Sequence, residues 1–141
     1  MKVADILHKK GDAVFAVSSN QSVLDALKLM SEKNIGAVPV IDDGKLTGIL
    51  SERDYARKVV LKGKSSQDTR IHEIMTPNPF TVSPDEKLDA LMALMNDKKI
   101  RHLPVVENNA VVGMVSVGDV VSAIIASQKE MITHLQNYLS L

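Results

Sequence analysis

The chain is predicted to fold as an α/β domain of two β-α-β-β-α repeats packed about a pseudo-twofold axis. Three observations predict it. The sequence aligns with itself at an offset of 65 residues, without a gap from Phe15 to Val60. Apolar residues recur at helical spacing at matched places in both halves. Pairs of short apolar runs, split by turn residues, follow each helical stretch.

The self-alignment is carried by four blocks. Phe15-Ala16-Val17-Ser18 falls on Phe80-Thr81-Val82-Ser83, and Leu29-Met30 on Leu94-Met95. Ile35-Gly36-Ala37-Val38-Pro39-Val40 falls on Ile100-Arg101-His102-Leu103-Pro104-Val105. Gly48-Ile49-Leu50-Ser51-Glu52-Arg53-Asp54 falls on Gly113-Met114-Val115-Ser116-Val117-Gly118-Asp119. Such self-similarity marks a repeat architecture. A shorter match, Val3-Ala4-Asp5-Ile6-Leu7 on Ile71-His72-Glu73-Ile74-Met75, has an offset of 68. The first repeat therefore has three extra residues, Lys9-Lys10-Gly11, expected in the loop that follows.

Each repeat is expected to begin with a short extended piece, Val14–Val17 or Phe80–Val82. Helices follow, with Val23, Ala26, Leu27 and Met30 on the buried face of one and Leu88, Leu91, Met92 and Met95 on that of the other. Apolar runs 37–41 and 46–50 flank Asp42-Asp43-Gly44-Lys45, a hairpin signal; Glu107-Asn108-Asn109-Ala110 stands at the same place in the second repeat. A last helix opens at Ser51 or Ser116. The predicted organisation is residues 1–62, a polar linker 63–70, residues 71–126, and a helical extension 127–141. Neither half, at about 60 residues, would bury its apolar face well alone. Two halves packed through their sheets would, leaving a cleft on each side of the joint. In the extension Ile132, Leu135 and Leu139 recur at helical spacing beside Met131 and Tyr138. They are expected to pack against a partner chain; packing within the same chain is the alternative.

Composition excludes several classes of function. Seventeen Lys and Arg balance seventeen Asp and Glu, so no general electrostatic footprint for nucleic acid or anionic membrane exists. Aromatic residues are scarce and Trp is absent, which leaves few stacking platforms for single strands. There is no Cys, hence no disulfide, thiolate zinc site or cysteine nucleophile. His8, His72 and His134 have no metal-ligand spacing, and no catalytic Ser/His/Asp set or carboxylate pair is visible. No apolar run reaches the roughly 20 residues of a membrane span, and the N-terminal residues show no secretory signal. The expectation is a cytoplasmic, non-catalytic domain with no metal, nucleic acid or membrane partner.

The informative motif is Gly-x-x-Ser-x-x-Asp, at Gly48/Ser51/Asp54 and again at Gly113/Ser116/Asp119. Gly at a strand end would let a ligand approach the backbone. Ser would cap a helix whose free N–H groups and dipole suit phosphate. The Asp could accept hydrogen bonds from both ribose hydroxyls. The same Ser-x-x-Asp spacing is also close to a capping box that needs no ligand.

With these two motifs, each preceded by Pro39-Val40 or Pro104-Val105, the chain resembles the tandem cystathionine-β-synthase (CBS) domain pair, or Bateman module, from about Val3 to Ile125. The runs Ser51-Glu52-Arg53-Asp54-Tyr55-Ala56-Arg57-Lys58 and Arg101-His102-Leu103-Pro104-Val105 are similar to those of small stand-alone members. The resemblance implies a regulatory module that binds AMP, ADP, ATP or NAD(H), with S-adenosylmethionine a further candidate. It also implies a disc-shaped homodimer of pairs that signals through its conformation or an effector protein. Carried over by residue, one cleft would hold Ser51, Arg53, Asp54, Asn78, Phe80, Ile100 and Arg101. The other would hold Ala13, Phe15, Ile35, Gly36, His102, Ser116 and Asp119. Asp54 and Asp119 would grip ribose. Arg101 and His102 match paired basic positions that touch phosphate in nucleotide-sensing members, and at the joint they would read charge in either cleft. Lys10, Arg57 and Lys58 are further candidate phosphate contacts; solvated basic surface is their alternative reading. Arg53, Arg57 and Lys58 stand where the second repeat has Gly118, Ser122 and Ala123, so one cleft should bind adenylate more tightly. The alternative function is a dimerising scaffold that binds no ligand.

Overall fold

A computed structural model describes residues 1–11 and 13–140; the last residue of the expected extension lies outside them. The elements run α1 (Val3–Lys10), α2 (Val23–Lys33), β1 (Ala37–Asp42), β2 (Lys45–Ser51), α3 (Glu52–Tyr55) widening into a π turn (Ala56–Val60), α4 (Ile71–Ile74), β3 (Thr76–Pro77), α5 (Leu88–Lys98), β4 (His102–Glu107), β5 (Ala110–Ser116) and α6 (Val117–Leu139).

The two hairpins are built alike. β1 pairs with β2 and β4 with β5, each antiparallel, with a register shift at Val40/Ile41 and Val105/Val106. Both turns place two residues in the left-handed region: Asp43 and Gly44 at φ 51° and 76°, Asn108 and Asn109 at φ 52° and 63°. That pattern matches the twist of the flanking strands, and Asn tolerates it nearly as well as Gly. The helices α2 and α5 likewise end on left-handed residues, Asn34 and Lys99.

The expected leading strands are shorter than predicted. Only Val17 and Val82 join the sheets, through single parallel bridges to Val40 and Val105. Val17 N–H donates to the Pro39 carbonyl (3.1 Å) and Ile41 N–H donates to the Val17 carbonyl (2.8 Å); Val82 makes the same two bonds with Pro104 and Val106. Extending either ladder backwards would need an N–H from Pro39 or Pro104, and proline has none. The chain before each bridge is therefore released from its own repeat's hairpin, and Ala13, Phe15, Asn78 and Phe80 line clefts, with Asn78 N–H donating to the Thr47 carbonyl of β2 (3.3 Å).

The cores cross over between repeats. Val3, Ile6 and Leu7 of α1 are buried with Val82, Leu91, Leu103 and Val115, in the second repeat. Ile71 and Ile74 of α4 are buried with Val17, Met30, Val40 and Leu50, in the first. Backbone bonds repeat the exchange: Val3 and Ala4 N–H donate to Glu86 and Pro84, and Ile71 and His72 N–H donate to Gln21 and Ser19. Each repeat thus lends its leading helix to the other.

The stretch read as a plain linker is held in place. Val23 and Leu24 N–H, at the open start of α2, donate to the carbonyls of Thr69 and Ser66, and Thr69 is buried. The extra residues Lys9 and Lys10, expected in a loop, instead form the last turn of α1, closed by Gly11 at φ 96°. The second repeat's last helix runs unbroken as α6 for 23 residues. Its distal part does not pack on its own chain: Met131, Ile132, Leu135, Tyr138 and Leu139 are all more than half exposed. That removes the alternative of intrachain packing.

Candidate functional site

Ser51 and Ser116 each end a strand in extended conformation and open a helix. Asp54 N–H donates to Ser51 Oγ (3.2 Å) and Ser51 N–H donates back to Asp54 Oδ2 (2.9 Å). Asp119 N–H and Ser116 N–H make the same reciprocal pair at 3.1 and 2.9 Å. Both motifs are thus complete capping boxes. The caps also orient the carboxylates: each is pinned through Oδ2 and remains mostly buried, with side-chain exposure of 16% for Asp54 and 23% for Asp119.

Gly48 and Gly113 do not serve the purpose expected of them. Both lie inside strands, and protein fills the space beside them. A Cβ on Gly48 would sit 2.6 Å from Met75 Sδ and 3.0 Å from the Thr76 carbonyl; one on Gly113 would sit 2.6 Å from Leu7 Cδ2. These glycines admit the lent helices and β3, which pairs Gly48 with Pro77, and not a ligand.

Two cavities flank the joint between hairpins. The first, of about 450 Å³, brings Ser51, Arg53, Asp54 and Arg57 of the first repeat together with Asn78, Phe80, Ile100 and Arg101 of the second. The second, of about 240 Å³, gathers Ser116 and Asp119 with Ala13, Phe15, Ile35 and Gly36. His102 and Gly36 line both, and a Cβ on Gly36 would lie 3.4 Å from His102 Nε2. Arg101 lines the first cavity and not the second. Lys58 does not line the first: its ammonium donates to the Ile74 carbonyl (2.9 Å) and pairs with Asp54 Oδ1 at 3.3 Å.

Electrostatics separate the clefts. Arg53, Arg57, Lys99 and Arg101 line the first against Glu52 and Asp54. In the second, Lys10 stands against Asp119 alone. Burial, then the charges of Lys10 and Arg101, push the His102 imidazole below its ordinary value, against an opposing pull from Asp119. Burial raises the Asp119 carboxyl, but hydrogen bonds from Lys10 and Ser116 outweigh it and hold the group below the usual carboxylate value.

Sequence reasoning missed three features of the site. Lys99 lines the first cleft. Lys33 lies 4.9 Å from the Phe15 ring centroid and Lys98 lies 5.3 Å from that of Phe80, matched cation–π contacts on the aromatic residue of each cleft. Their signal was the repeat itself, because Lys33 and Lys98 share the offset of Phe15 and Phe80. Met114 is the third: its carbonyl, on the floor of the second cleft, accepts from Lys10.

Known proteins share this architecture. The family model for the CBS domain matches residues 3–61 and again 71–126. The mitochondrial CBS domain-containing protein CBSX3 of Arabidopsis thaliana is 37% identical over 97% of this chain and 71% of its own length. A protein with CBS domains from Burkholderia ambifaria MC40-6 superposes with a TM-score of 0.86 at 46% identity, covering 91% of this chain and 96% of that one. The CBS domain pair of protein MJ0100, solved with 5′-methylthioadenosine and S-adenosyl-L-methionine, gives a TM-score of 0.79 at 33% identity over 91% and 98% of the two chains. The doubled Ser–Asp cap, the exchanged helices and these matches together make the chain a member of the CBS-domain family, carrying two copies of the domain in tandem.

Proposed function

We propose that the protein is a regulatory module that binds an adenine nucleotide in its clefts and catalyses no reaction of its own. The observation that carries this reading is the same in both clefts. A carboxylate fixed by a helix cap on one repeat faces an aromatic residue, Phe80 or Phe15, on the segment that proline releases from the other repeat's sheet. A ribose on Asp54 or Asp119 would place its base toward that segment and so bridge the repeats. The adenosine-derived ligands of the MJ0100 pair support the class of ligand. Among AMP, ADP, ATP and NAD(H), the four cations of the first cleft suit the more highly phosphorylated ligands, with Arg53 and Arg57 as the phosphate contacts. The second cleft, smaller and nearly balanced in charge, suits a nucleoside monophosphate.

Output requires a second molecule. The apolar residues Val121, Ile125, Met131, Ile132 and Leu135 stand exposed along α6, a helix about 34 Å long at 1.5 Å per residue. We assign them to a homodimer contact; a CBS-CP12 protein of bloom-forming cyanobacteria, 27% identical, is hexameric. Nucleotide then shifts the dimer only by its differential affinity for two arrangements, and an effector protein reads the result. The Arabidopsis relative is named as mitochondrial. Among the described residues no helix is long and apolar enough to cross a membrane.

Calorimetric titration of nucleotide-stripped protein with AMP, ATP, NAD(H) and S-adenosylmethionine tests the reading, repeated on Asp54→Ala and Asp119→Ala. Micromolar binding lost in one variant supports it and identifies the cleft. The second reading, a scaffold, is favoured by one observation: in both capping boxes the Ser and Asp satisfy each other's hydrogen bonds. On that reading Asp119→Ala lowers stability by about 1 kcal/mol and no ligand produces heat.

A further inference from the structure

Lys10 occupies the carboxylate that a ribose would need. Its ammonium donates to Asp119 Oδ2 at 2.7 Å and to the Met114 carbonyl at 2.9 Å, across 109 and 104 residues of chain. Oδ2 also accepts the Ser116 N–H. Each carboxylate oxygen has about two acceptor positions, so Oδ2 is full while Lys10 stays. Only Oδ1 is left, and a diol gripped by both oxygens requires Lys10 to leave. Lys10 and Asp119 also form the wall between the second cleft, about 240 Å³, and a groove of about 680 Å³ between α1 and α6. Ligand cavities are usually about 300 Å³ or more, so the closed cleft is small and withdrawal of Lys10 enlarges it.

In the first cleft Asp54 is held by its own repeat alone: Oδ2 accepts from both the Ser51 N–H and the Ser51 hydroxyl. The lysine on Asp54, Lys58, comes from the same helix and turns its ammonium to the Ile74 carbonyl behind the cleft. Lys10 comes from the lent helix α1, on the extra turn that the first repeat alone possesses, and its side chain is 37% exposed.

We propose that Lys10 is a displaceable latch on the second cleft that makes a phosphate a condition of entry. A nucleoside that takes Asp119 breaks the Lys10–Asp119 pair beside the half-buried His102 and returns nothing to the ammonium. A nucleotide takes Asp119 with its ribose and returns an acceptor to Lys10 with its phosphate. The latch thus selects nucleotide over nucleoside. This rests on the nucleotide reading of the same cleft.

The test uses the full chain carrying Asp54→Ala, so that titration reports the second cleft, and compares Lys10, Lys10→Met and Lys10→Arg with AMP and adenosine as probes. A charge-assisted hydrogen bond separates the two ligands by about tenfold or more in the Lys10 protein. Lys10→Met brings the ratio toward one, by weakening AMP and sparing or tightening adenosine, and Lys10→Arg retains the preference. Melting temperatures check that the variants are folded. An unchanged ratio in a folded Lys10→Met protein overturns the latch and leaves nucleotide binding standing. AMP binding to the unaltered protein that vanishes with Asp54→Ala also overturns it, since the second cleft is then not used. No AMP binding to the unaltered protein overturns the latch and the nucleotide reading together.

Discussion

Ile6→Ala should weaken the second repeat although Ile6 lies at the start of the first. Ile6 is 5% exposed and packs among Val82, Leu88, Leu91, Leu103 and Val120. Truncating a buried Ile to Ala removes three carbons and leaves a cavity, at a cost of about 2–5 kcal/mol. The site is enclosed by α1, α5, β4 and α6, elements separated by up to the whole chain, so collapse into the void is limited and about 3 kcal/mol is expected. That is a large share of the roughly 5–15 kcal/mol that stabilises a domain, and about a hundredfold in an opening equilibrium. Native-state hydrogen exchange reads where the loss falls. Amides of β4 and β5, such as Val105 and Val115, should lose protection by that factor, before or more than those of Val40 and Leu50. Ile74→Ala, 2% exposed in the opposite core, should show the mirror pattern. Loss of protection confined to β1 and β2 in Ile6→Ala would refute the exchange of helices.

Other outcomes follow from single positions. Gly48→Ala should destabilise by about 1–3 kcal/mol, read from the denaturant midpoint, because its Cβ would press the Met75 sulfur and the fixed Thr76 carbonyl. Lys99→Asn should raise stability by up to about 1 kcal/mol, since Asn accepts the left-handed conformation at φ 55° more readily than Lys. The same change should weaken ATP binding, because it removes a cation of the first cleft. His102 titrates among Lys10, Arg101 and Asp119, with its folded-state value depressed. As pH falls below about 6.5 the unfolded chain protonates first, so this group's contribution to stability declines until pH reaches the folded-state value; His102→Gln should remove that part of the slope. A phosphate placed beside the imidazole raises its pKa, so AMP binding near pH 6 should take up protons, measurable as a buffer-dependent heat.

Local chemistry alone reveals much of this protein. The 65-residue offset, the helical spacing of Leu88, Leu91 and Met95, the hairpin turns and the Ser-x-x-Asp caps all depend on residues within a few positions of one another, or on a repeat visible by eye. Every residue assigned to the two clefts from the resemblance to CBS pairs, except Lys58, lines one of them. The release of the leading segments was also written in the chain, in Pro39 and Pro104 at matched positions, though it needs the edge on which each missing N–H would have pointed. What only the tertiary structure decided is where elements far apart in sequence dock. Apolar spacing makes Val3, Ile6 and Leu7 one buried face without naming the core that buries it. Docking α1 on the second repeat is what brings Lys10 to Asp119, which adds to the inequality that Arg53 and Arg57 already give the clefts. It does so because burial is non-directional, whereas a salt bridge forms only where packing has already placed its partners.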